Sequence, residues 1–525
     1  MTITIVATLV ALLALAGIVG FIARRIGVPY PVLLVIVGLV LALIPGIPTL
    51  RVEPDLILFV FLPPLVYRGA FHAPIRELIA AQRLILIFAV PGVVITALLV
   101  ALPVHYVAGL PWSAAFTLGA IVSATDPIAA LALFRSLGAP PRLSAIVEGE
   151  SLINDGTGIV VYRIVIAATM SGMFSLGAAL RDFAVVAGGG VLVGLAVGGV
   201  AYALLHVVND AEAEATLQIA VAYGSYLLAE EIHVSGVLAT VTAGIVLGLG
   251  FTRYSGATAR LVGVASWDVL EFIANSLLFL IIGLQLRTVI MQIRPFAPGE
   301  VIGSAVVTVV AVILARFILT FGTNLLVRIA HRARLVRARG LPAKWVTVLA
   351  WSGLRGGVTL ALALGLPLEA KAGQPFPARD LLEFLTYVVV VATLVPTSFL
   401  LPPLLTRLGL TGNQESEREE LMARRYAARR AREALDRESD ADLTPESRQR
   451  LRAYYDAQVQ RLQGIADGKD GRAFTQWRTV RLRLLEAERD AVRELVQSRR
   501  ISRVAAERVQ RDIDLDAERL TAEED

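Results

Sequence analysis

Long apolar runs recur along most of this sequence, and they restrict its fold more than any other feature. About thirteen runs are each long enough to cross the hydrocarbon core of a bilayer as a helix of roughly 20 residues. They lie near 2–22, 29–46, 54–70, 84–108, 112–134, 143–170, 180–208, 215–231, 233–250, 264–286, 300–329, 344–366 and 381–405. The pattern predicts an all-α, polytopic membrane protein.

Charged residues are unevenly distributed and divide the chain into two parts. Of the 525 residues, 18% are charged and 56% are hydrophobic, whereas about a quarter of the residues of a soluble protein are charged. Up to about residue 410 the charges are sparse and lie mostly in short connectors, and beyond it Arg, Glu and Asp dominate. We therefore predict a transmembrane domain over 1–410 and a cytoplasmic helical tail over 411–525, with a regulatory or assembly role.

Basic residues in alternate connectors predict the orientation in the membrane. One set of connectors carries Arg24 and Arg25, Arg76 and Arg83, Arg135 and Arg142, Arg253 and Arg260, and the basic segment 328–344. The positive-inside rule places this set in the cytoplasm, the N-terminus outside and the C-terminus inside. Cytoplasmic connectors are basic under this rule, which already accounts for the net charge of +5. The positive charge is therefore no sign of a nucleic-acid partner, and none is predicted. The sequence has no cysteine, which excludes disulfides and thiolate chemistry.

One predicted span, 112–134, is interrupted near its middle by Thr125-Asp126-Pro127. Pro127 lacks an N–H and disfavours helix at the residue before it, but it suits the first position of a new helix. Asp126 then becomes the N-cap of that helix. We predict a broken helix here, with the hydroxyl or carbonyl of Thr125 available to an ion.

A second span, 344–366, is interrupted by Gly353, Arg355, Gly356 and Gly357. Interrupted helices at corresponding positions of two halves are the sequence signature of a transporter built from inverted repeats. The two breaks occupy the same place if each repeat holds about six spans. We therefore predict two inverted repeats, in which Arg355 balances the negative ends of the half-helices.

A carboxylate in the run 143–170, Asp155, is the predicted functional group. A carboxylate near the middle of a membrane costs about 2.5–3.5 kcal/mol even on the lenient insertion scale, so it is rarely retained without a function. On a helix, Ser151 shares the face of Asp155. Their oxygens suit a hard monovalent cation, and the same carboxylate can carry a proton instead. The alternative is a helix-packing carboxylate paired with a buried arginine.

Arg316 lies in the middle of the run 300–329 and needs an acidic partner, because an isolated buried arginine is very costly. Glu150 is the predicted partner. A second acid, Glu271, is predicted to line a funnel together with Asn275. Glu230 is predicted at an outer mouth, simply solvated.

Apolar stripes at helical spacing predict a helical bundle or hairpin set in the tail. Thr444 and Pro445 form the predicted start of one helix. The first apolar stripe consists of Leu451, Tyr455, Val459 and Leu462, and the second consists of Phe474, Trp477, Val480, Leu484, Ala487, Ala491 and Leu495.

Several motifs within 1–410 together resemble one transporter family. They are Phe61-Leu62-Pro63-Pro64, Thr125-Asp126-Pro127, Gly149-Glu150-Ser151-Leu152-Ile153-Asn154-Asp155, the segment 275–286, Ala315-Arg316 and Gly353-Leu354-Arg355-Gly356. The sequence is similar to the monovalent cation:proton antiporters of the type 1 branch, which holds bacterial sodium/proton antiporters and animal sodium/hydrogen exchangers.

This resemblance implies a homodimer in the inner (plasma) membrane, with a core domain that holds two crossed broken helices and needs no cofactor. It implies that Asp155 binds a cation or a proton, with Ser151 and Thr125 as further ion contacts and Asn154 in the same binding site. It also implies that Glu150 and Arg316 form a stabilising pair. Asn154 before Asp155 implies electroneutral exchange of one cation, most often Na⁺ but also K⁺ or Li⁺, for one proton.

One position departs from the family pattern, because Arg68 stands where relatives commonly carry an acid. An arginine cannot bind a cation or release its proton, and two roles stay open for it: snorkelling to the cytoplasmic edge, or a change in ion choice or pH response. The alternative function is a transport-dead or channel-like membrane sensor that signals through the tail. An enzyme is not expected, because Ser151 has no membrane-depth histidine to act as its base.

Overall fold

The computed structural model describes residues 2–44, 54–208, 210–334, 340–370, 374–412, 414–437, 444–466, 471–498 and 500–521. The chain forms two compact units, Met1–Gly412 and Asn413–Asp525. Within the described ranges all regular structure is helical apart from one isolated bridge between Glu369 and Pro375. The predicted all-α fold class is therefore confirmed.

The first unit contains helices α1 to α17. Their bounds are α1 Thr2–Ile26, α2 Tyr30–Leu43, α3 Pro54–Phe71, α4 Ile75–Ala89, α5 Pro91–Tyr106, α6 Trp112–Ile121, α7 Ile128–Leu137, α8 Pro141–Ser171, α9 Leu176–Leu205, α10 Ala211–Glu231, α11 Gly236–Tyr254, α12 Ala257–Leu284, α13 Leu286–Gln292, α14 Pro298–Arg332, α15 Ala343–Trp351, α16 Gly357–Leu364 and α17 Arg379–Arg407.

Seven helical segments in the described residues are long and apolar enough to cross a membrane. They are Ala7–Ile26, Ile75–Tyr106, Pro141–Ser171, Leu176–Leu205, Ala257–Gln292, Pro298–Arg332 and Arg379–Arg407, and five shorter apolar helices accompany them. The count of about thirteen spans stays a prediction, and the end of the second run, 45–46, lies outside the described residues.

The fourth predicted run differs from the structure. Its helix starts at Ile75, well before residue 84, and the chain bends at Val90, where Pro91 opens α5. Arg76 and Arg83, expected in a connector, therefore lie on the exposed face of α4. Arg76 and Arg83 are about two helical turns apart, so both lie on the same side of α4. The opposite side of α4 packs against the rest of the unit.

The two predicted helix breaks are present. The segment 122–127 separates α6 from α7, which begins at Ile128 directly after Pro127, and 352–356 separates α15 from α16. Helix α8 runs unbroken through the acidic stretch. One apolar cluster packs around the start of α8, at Leu143 and Ile146, and another packs around its later part, at Ile159 and Tyr162.

The second unit consists of α18 Gln414–Leu435, α19 Pro445–Ala466, α20 Gly471–Gln497 and α21 Arg503–Thr521. The predicted helix start is confirmed, because Pro445 opens α19 and the Thr444 hydroxyl accepts a hydrogen bond from the Ser447 N–H at 3.3 Å.

The face of α20 that α21 covers differs from the apolar stripe identified in the sequence. Trp477, Val480 and Leu484 are each about half exposed, whereas Leu485 and Val492 are buried against α21. Helix α20 has two apolar faces, and helical periodicity does not tell which of them the next helix covers. The Phe474 side chain lies outside the described part of the chain.

Candidate functional site

The two broken helices meet at their breaks. The backbone N–H of Asp126 donates a hydrogen bond to the carbonyl of Leu354 at 2.9 Å. The Asp126 carboxylate accepts from the N–H of Ile128 at 3.0 Å and from the N–H of Gly357 at 3.4 Å. One side chain thus caps the N-termini of both half-helices, α7 and α16, where the helix dipoles favour a negative charge.

Gly356 makes this double cap possible. A Cβ atom at position 356 would overlap the Asp126 carboxylate. The absence of a side chain therefore lets the second break approach the first closely enough for Asp126 to reach Gly357. Gly356 therefore does more than interrupt the helix: its missing side chain leaves space for the Asp126 carboxylate.

Arg355 lies at the opposite ends of the half-helices. Its guanidinium is 1% exposed and donates from Nε to the carbonyl of Val122 at 2.8 Å and from Nη1 to the carbonyl of Gly353 at 2.5 Å. These carbonyls follow the C-termini of α6 and α15, which carry unsatisfied acceptors and partial negative charge. Asp126 and Arg355 thus neutralise the two kinds of helix end at the crossing.

Helix α8 is held against the first break by two hydrogen bonds to Thr125. The Ser151 hydroxyl donates to the Thr125 carbonyl at 2.7 Å, and the Asn154 amide donates to the Thr125 hydroxyl at 2.6 Å. All three residues are buried. These bonds fix the position of α8, and so of Asp155, relative to the crossing.

Glu150 and Arg316 form a buried ion pair between α8 and α14. Nη1 of Arg316 contacts Oε1 of Glu150, and Nη2 contacts Oε2 at 3.1 Å. Arg316 also donates to the carbonyl of Leu349. The bidentate geometry satisfies both carboxylate oxygens, which is the condition for a buried pair to be tolerated. Gly353 packs directly on the guanidinium.

Asp155 differs from Glu150 in having no partner in the described structure, and from the half-buried Glu148 on the same helix in being buried. Asp155 is 8% exposed, and its carboxylate has no hydrogen bond or ion pair to any residue that the structure describes. The alternative of a packing carboxylate paired with a buried arginine therefore does not fit the described residues, because the available Arg316 is taken by Glu150.

A cavity of about 670 Å³ reaches Asp155. Its wall includes Ser151, Asp155 and Asp126, and its mouth includes the exposed residues Arg24 and Arg135. The α8 residues on its wall are Glu148, Ser151, Leu152 and Asp155. Thr125 and Asn154 are not on this wall; they lie in the contact between α8 and the break.

Beyond Asp155, the later part of α8 is packed. Tyr162 is 9% exposed and belongs to the apolar cluster that also holds Leu382 and Leu385 of α17. Next to this cluster, the buried Glu383 pairs with Arg379 at 2.7 Å and accepts a hydrogen bond from Gln292 at 2.9 Å. The cavity lining therefore stops at Asp155 along α8, and apolar side chains pack around the helix beyond it, so that the cavity is one-sided with respect to α8.

The expected snorkelling of Arg68 is wrong. Its side chain, 14% exposed, lies on the cavity wall and pairs with Asp268 at 2.5 Å and with Glu271 at 2.7 Å. The expectation failed because α12 presents two acids to α3, and ion pairing competes with hydration of the guanidinium. Glu271 lines the cavity as predicted, whereas Asn275, predicted beside it, is fully buried and is not on the wall. Asp268 was not singled out from the sequence. The spacing of Asp268 and Glu271 on an apolar helix was the available signal, since it places both on one face.

Arg163 and Glu230 form another pair that the sequence did not indicate. Nη2 of Arg163 contacts Oε2 of Glu230 at 2.6 Å, and the other oxygen of Glu230 accepts from the N–H of Gly236. Glu230 is therefore engaged in contacts and is not merely solvated. This pair is partly exposed and joins α8 to α10 and α11, away from the cavity.

The fold and the site define a class of membrane transporter: two broken helices meet beside a continuous helix that presents the buried Asp155 carboxylate, without a partner among the described residues, to a one-sided cavity. The family described as sodium/hydrogen exchanger, transmembrane, matches residues 9–407, and the chain belongs to this family. Its members are multi-pass transporters and not enzymes, located in bacteria in the plasma membrane.

Individual relatives extend this result. The chain is 33% identical over 446 residues to the low-affinity Na⁺/H⁺ antiporter NhaS1 of Synechocystis sp., covering 84% of this chain and 81% of that protein. It is 34% identical to the Na⁺/H⁺ antiporter ApNhaP of Aphanothece halophytica, covering 77% and 74%. An uncharacterized Na⁺/H⁺ exchanger of Mycobacterium bovis is 30% identical over 527 residues, covering 98% and 95%, so that this likeness includes the tail.

A solved structure shares the fold. The sodium proton antiporter MjNhaP1 of Methanocaldococcus jannaschii superimposes with a TM-score of 0.61 at 20% identity, covering 78% of this chain and 99% of that one. At this level of identity the similarity shows the fold alone.

Proposed function

We propose that this chain exchanges a monovalent cation, Na⁺ in the first place and K⁺ or Li⁺ as alternatives, for protons across the membrane. The observation that carries the proposal is the unpartnered carboxylate of Asp155 at the inner end of a one-sided cavity. A buried charge without a protein partner requires a counter-ion or a proton. The names of the antiporter relatives support this choice.

A single shared group also accounts for coupling. When Asp155 holds a cation it has no place for a proton, and when it is protonated it no longer attracts a cation. Each loaded form of the carboxylate is neutral, so one cation exchanges for one proton without net charge movement. Ser151 and Thr125 are the proposed additional oxygen ligands of the cation, and Asn154 positions Thr125.

Alternating access supplies the second half of the cycle. The cavity in this structure is lined at its mouth by Arg24 and Arg135, which belong to the connectors predicted to be cytoplasmic. The structure would then be the inward-facing state, and the packing around Tyr162 would open in the outward-facing state. Two inverted repeats, each with one broken helix, provide the symmetry that such an exchange of states requires.

The test is exchange in proteoliposomes. With a pH gradient imposed, Asp155→Asn should abolish gradient dissipation by added Na⁺, K⁺ or Li⁺. Asp182→Asn is the matched control, because Asp182 is exposed on α9 and, within the described part of the chain, pairs with its neighbour Arg181 alone; this variant should exchange at the wild-type rate. Normal exchange by Asp155→Asn would refute the shared site. Current under voltage without proton movement would indicate a channel, and an inactive wild type would favour a transport-dead sensor.

The orientation is open to a direct labelling experiment. Because the sequence has no cysteine, a single cysteine at Ser175 or at Thr411 can be tagged without background. We expect an impermeant maleimide applied to intact cells to label position 175 and to leave position 411 unlabelled. The reverse pattern would invert the proposed topology.

We also propose that the protein is a homodimer and that residues 411–525 form a cytoplasmic tail with a regulatory or assembly role. Light scattering of the purified protein in detergent should give the mass of two chains of 56.2 kDa each. Removal of 413–525, which form their own compact unit, should leave exchange intact and alter its dependence on pH if the tail regulates. A change in mass to one chain would instead assign assembly to the tail.

A further inference from the structure

Arg68 occupies an unusual place for a permanent positive charge. It projects from α3 into the wall of the cavity, where it contacts Asp268 and Glu271 of α12. Asp268 is 53% exposed and Glu271 is 22% exposed at the side chain, so the cluster borders water at the cavity mouth. A cation that moves from the mouth to Asp155 passes this wall.

The charges of the cavity are otherwise mixed. Its wall carries the acids Asp126, Glu148, Asp155, Asp268 and Glu271 and the bases Arg24, Arg68 and Arg135. Among the three bases, Arg68 is the one with ion pairs to acids of this wall in the described structure. The acids of α12 are therefore neutralised by the protein itself.

A guanidinium keeps its charge at every physiological pH and matches carboxylate oxygens in a planar fork. Because the guanidinium is covalently attached, it is present beside the two acids at every salt concentration. A mobile monovalent cation must instead be bound from solution, which depends on its concentration. As long as Arg68 is seated, a mobile cation gains little from Asp268 and Glu271 and meets the repulsion of Arg68 as well.

We propose that Arg68 is a resident cation that occupies the carboxylate pair of Asp268 and Glu271 and thereby lowers the affinity of the cavity for the transported cation. This inference rests on the proposed exchange function and adds an affinity-setting residue to it. Arg68 sets how much Na⁺ the protein needs to work, while Asp155 sets whether it works. Its charge, more than its packing between α3 and α12, carries this role.

The central variant is Arg68→Gln, which removes the charge and frees both acids of α12. We expect the apparent KM for Na⁺ in proteoliposomes to fall roughly three- to tenfold, as the loss of a partly screened charge near the path predicts. Arg68→Lys retains the charge and should keep a KM close to that of the wild type. Arg135→Gln is the matched control, since it removes one positive charge from the same mouth without freeing the acids of α12, and it should shift KM less.

A combined variant separates charge from structure. In Arg68→Gln/Asp268→Asn/Glu271→Gln the freed acids are absent, and KM should return toward the wild-type value. If Arg68 only joins α3 to α12, Arg68→Gln will lower the maximal rate or the folded yield while KM stays constant, and the inference is overturned. An equal KM shift in Arg135→Gln would also overturn it, because a general charge effect would then suffice.

Cation binding itself gives an independent readout. The apparent melting temperature of the purified protein is measured against NaCl with choline chloride as the ionic-strength control. Arg68→Gln should reach half of its Na⁺-dependent stabilisation at a several-fold lower concentration than the wild type. One outcome separates the two proposals: the wild type binds Na⁺, Arg68→Gln reaches half of its stabilisation at a lower Na⁺ concentration, and the wild type exchanges no ions. In that case the proposed function fails and the role of Arg68 in cation affinity stands. If the wild type exchanges and neither KM nor the binding midpoint moves in Arg68→Gln, only the inference on Arg68 fails.

Discussion

Glu150 and Asp155 lie less than two turns apart on α8, both are nearly inaccessible to solvent, and their surroundings are opposite. Glu150 has both oxygens engaged by Arg316, whereas the Asp155 carboxylate borders a cavity and has no partner among the described residues. A buried charge is tolerated only if something neutralises it. In the first case the fold supplies the neutralising group permanently, and in the second it leaves that task to an exchangeable ion.

The largest effect is expected from breaking the permanent pair. Glu150→Gln leaves the Arg316 guanidinium buried and uncompensated, which costs about 3–5 kcal/mol. We expect loss of folded protein, measured as the monodisperse peak of a fluorescent fusion in size-exclusion chromatography, and Arg316→Gln should behave alike. The double variant should recover part of the peak, because neither charge is then left alone. Independent, additive losses would show that the two residues do not act as a pair.

A third carboxylate, Asp126, extends the comparison, because backbone N–H groups take the place of an arginine as its partners. Gly356→Ala places a methyl group against this carboxylate and should force the two breaks apart, at a cost of about 1–3 kcal/mol. The apparent melting temperature in detergent measures this effect. Gly303→Ala on α14 is the control, since a Cβ atom there meets open space and alanine favours helix. Equal effects of the two substitutions would exclude close packing as the reason for Gly356.

How far the sequence predicts these surroundings depends on whether the cause is local. The two breaks were predictable, because Pro127 and the glycines of 353–357 disfavour helix wherever they stand. The Glu150–Arg316 pair was predictable because a mid-membrane arginine needs an acid and few acids are available at that depth. Both arguments rest on the residue itself and not on the rotation of its helix.

The contacts that the sequence did not predict depend on which faces of two distant helices meet. Arg68 was expected to snorkel, because nothing near it in sequence shows that α12 presents Asp268 and Glu271 to it. Likewise, apolar periodicity on α20 indicated the stripe of Trp477 and Val480, while the structure buries the face of Leu485 and Val492. Periodicity identifies apolar faces, and helix rotation within the fold decides which of them is covered.

The smallest effect on stability, and the most informative for the comparison, is expected from Asp155→Asn. Without Na⁺ a proton neutralises Asp155 in the proposed cycle, so the substitution replaces one neutral group without a protein partner by another, and the change in unfolding free energy should be below about 1 kcal/mol, in contrast to Glu150→Gln. With Na⁺ the wild type should gain apparent melting temperature and the variant should not, since binding to the native state stabilises only a protein that has the site. Destabilisation comparable to that of Glu150→Gln would mean that Asp155 has a structural partner in the folded protein. A Na⁺-dependent gain that survives in Asp155→Asn would move the cation to other oxygens of the cavity, and Asp268 and Glu271, once freed in Arg68→Gln, are the acids to examine next.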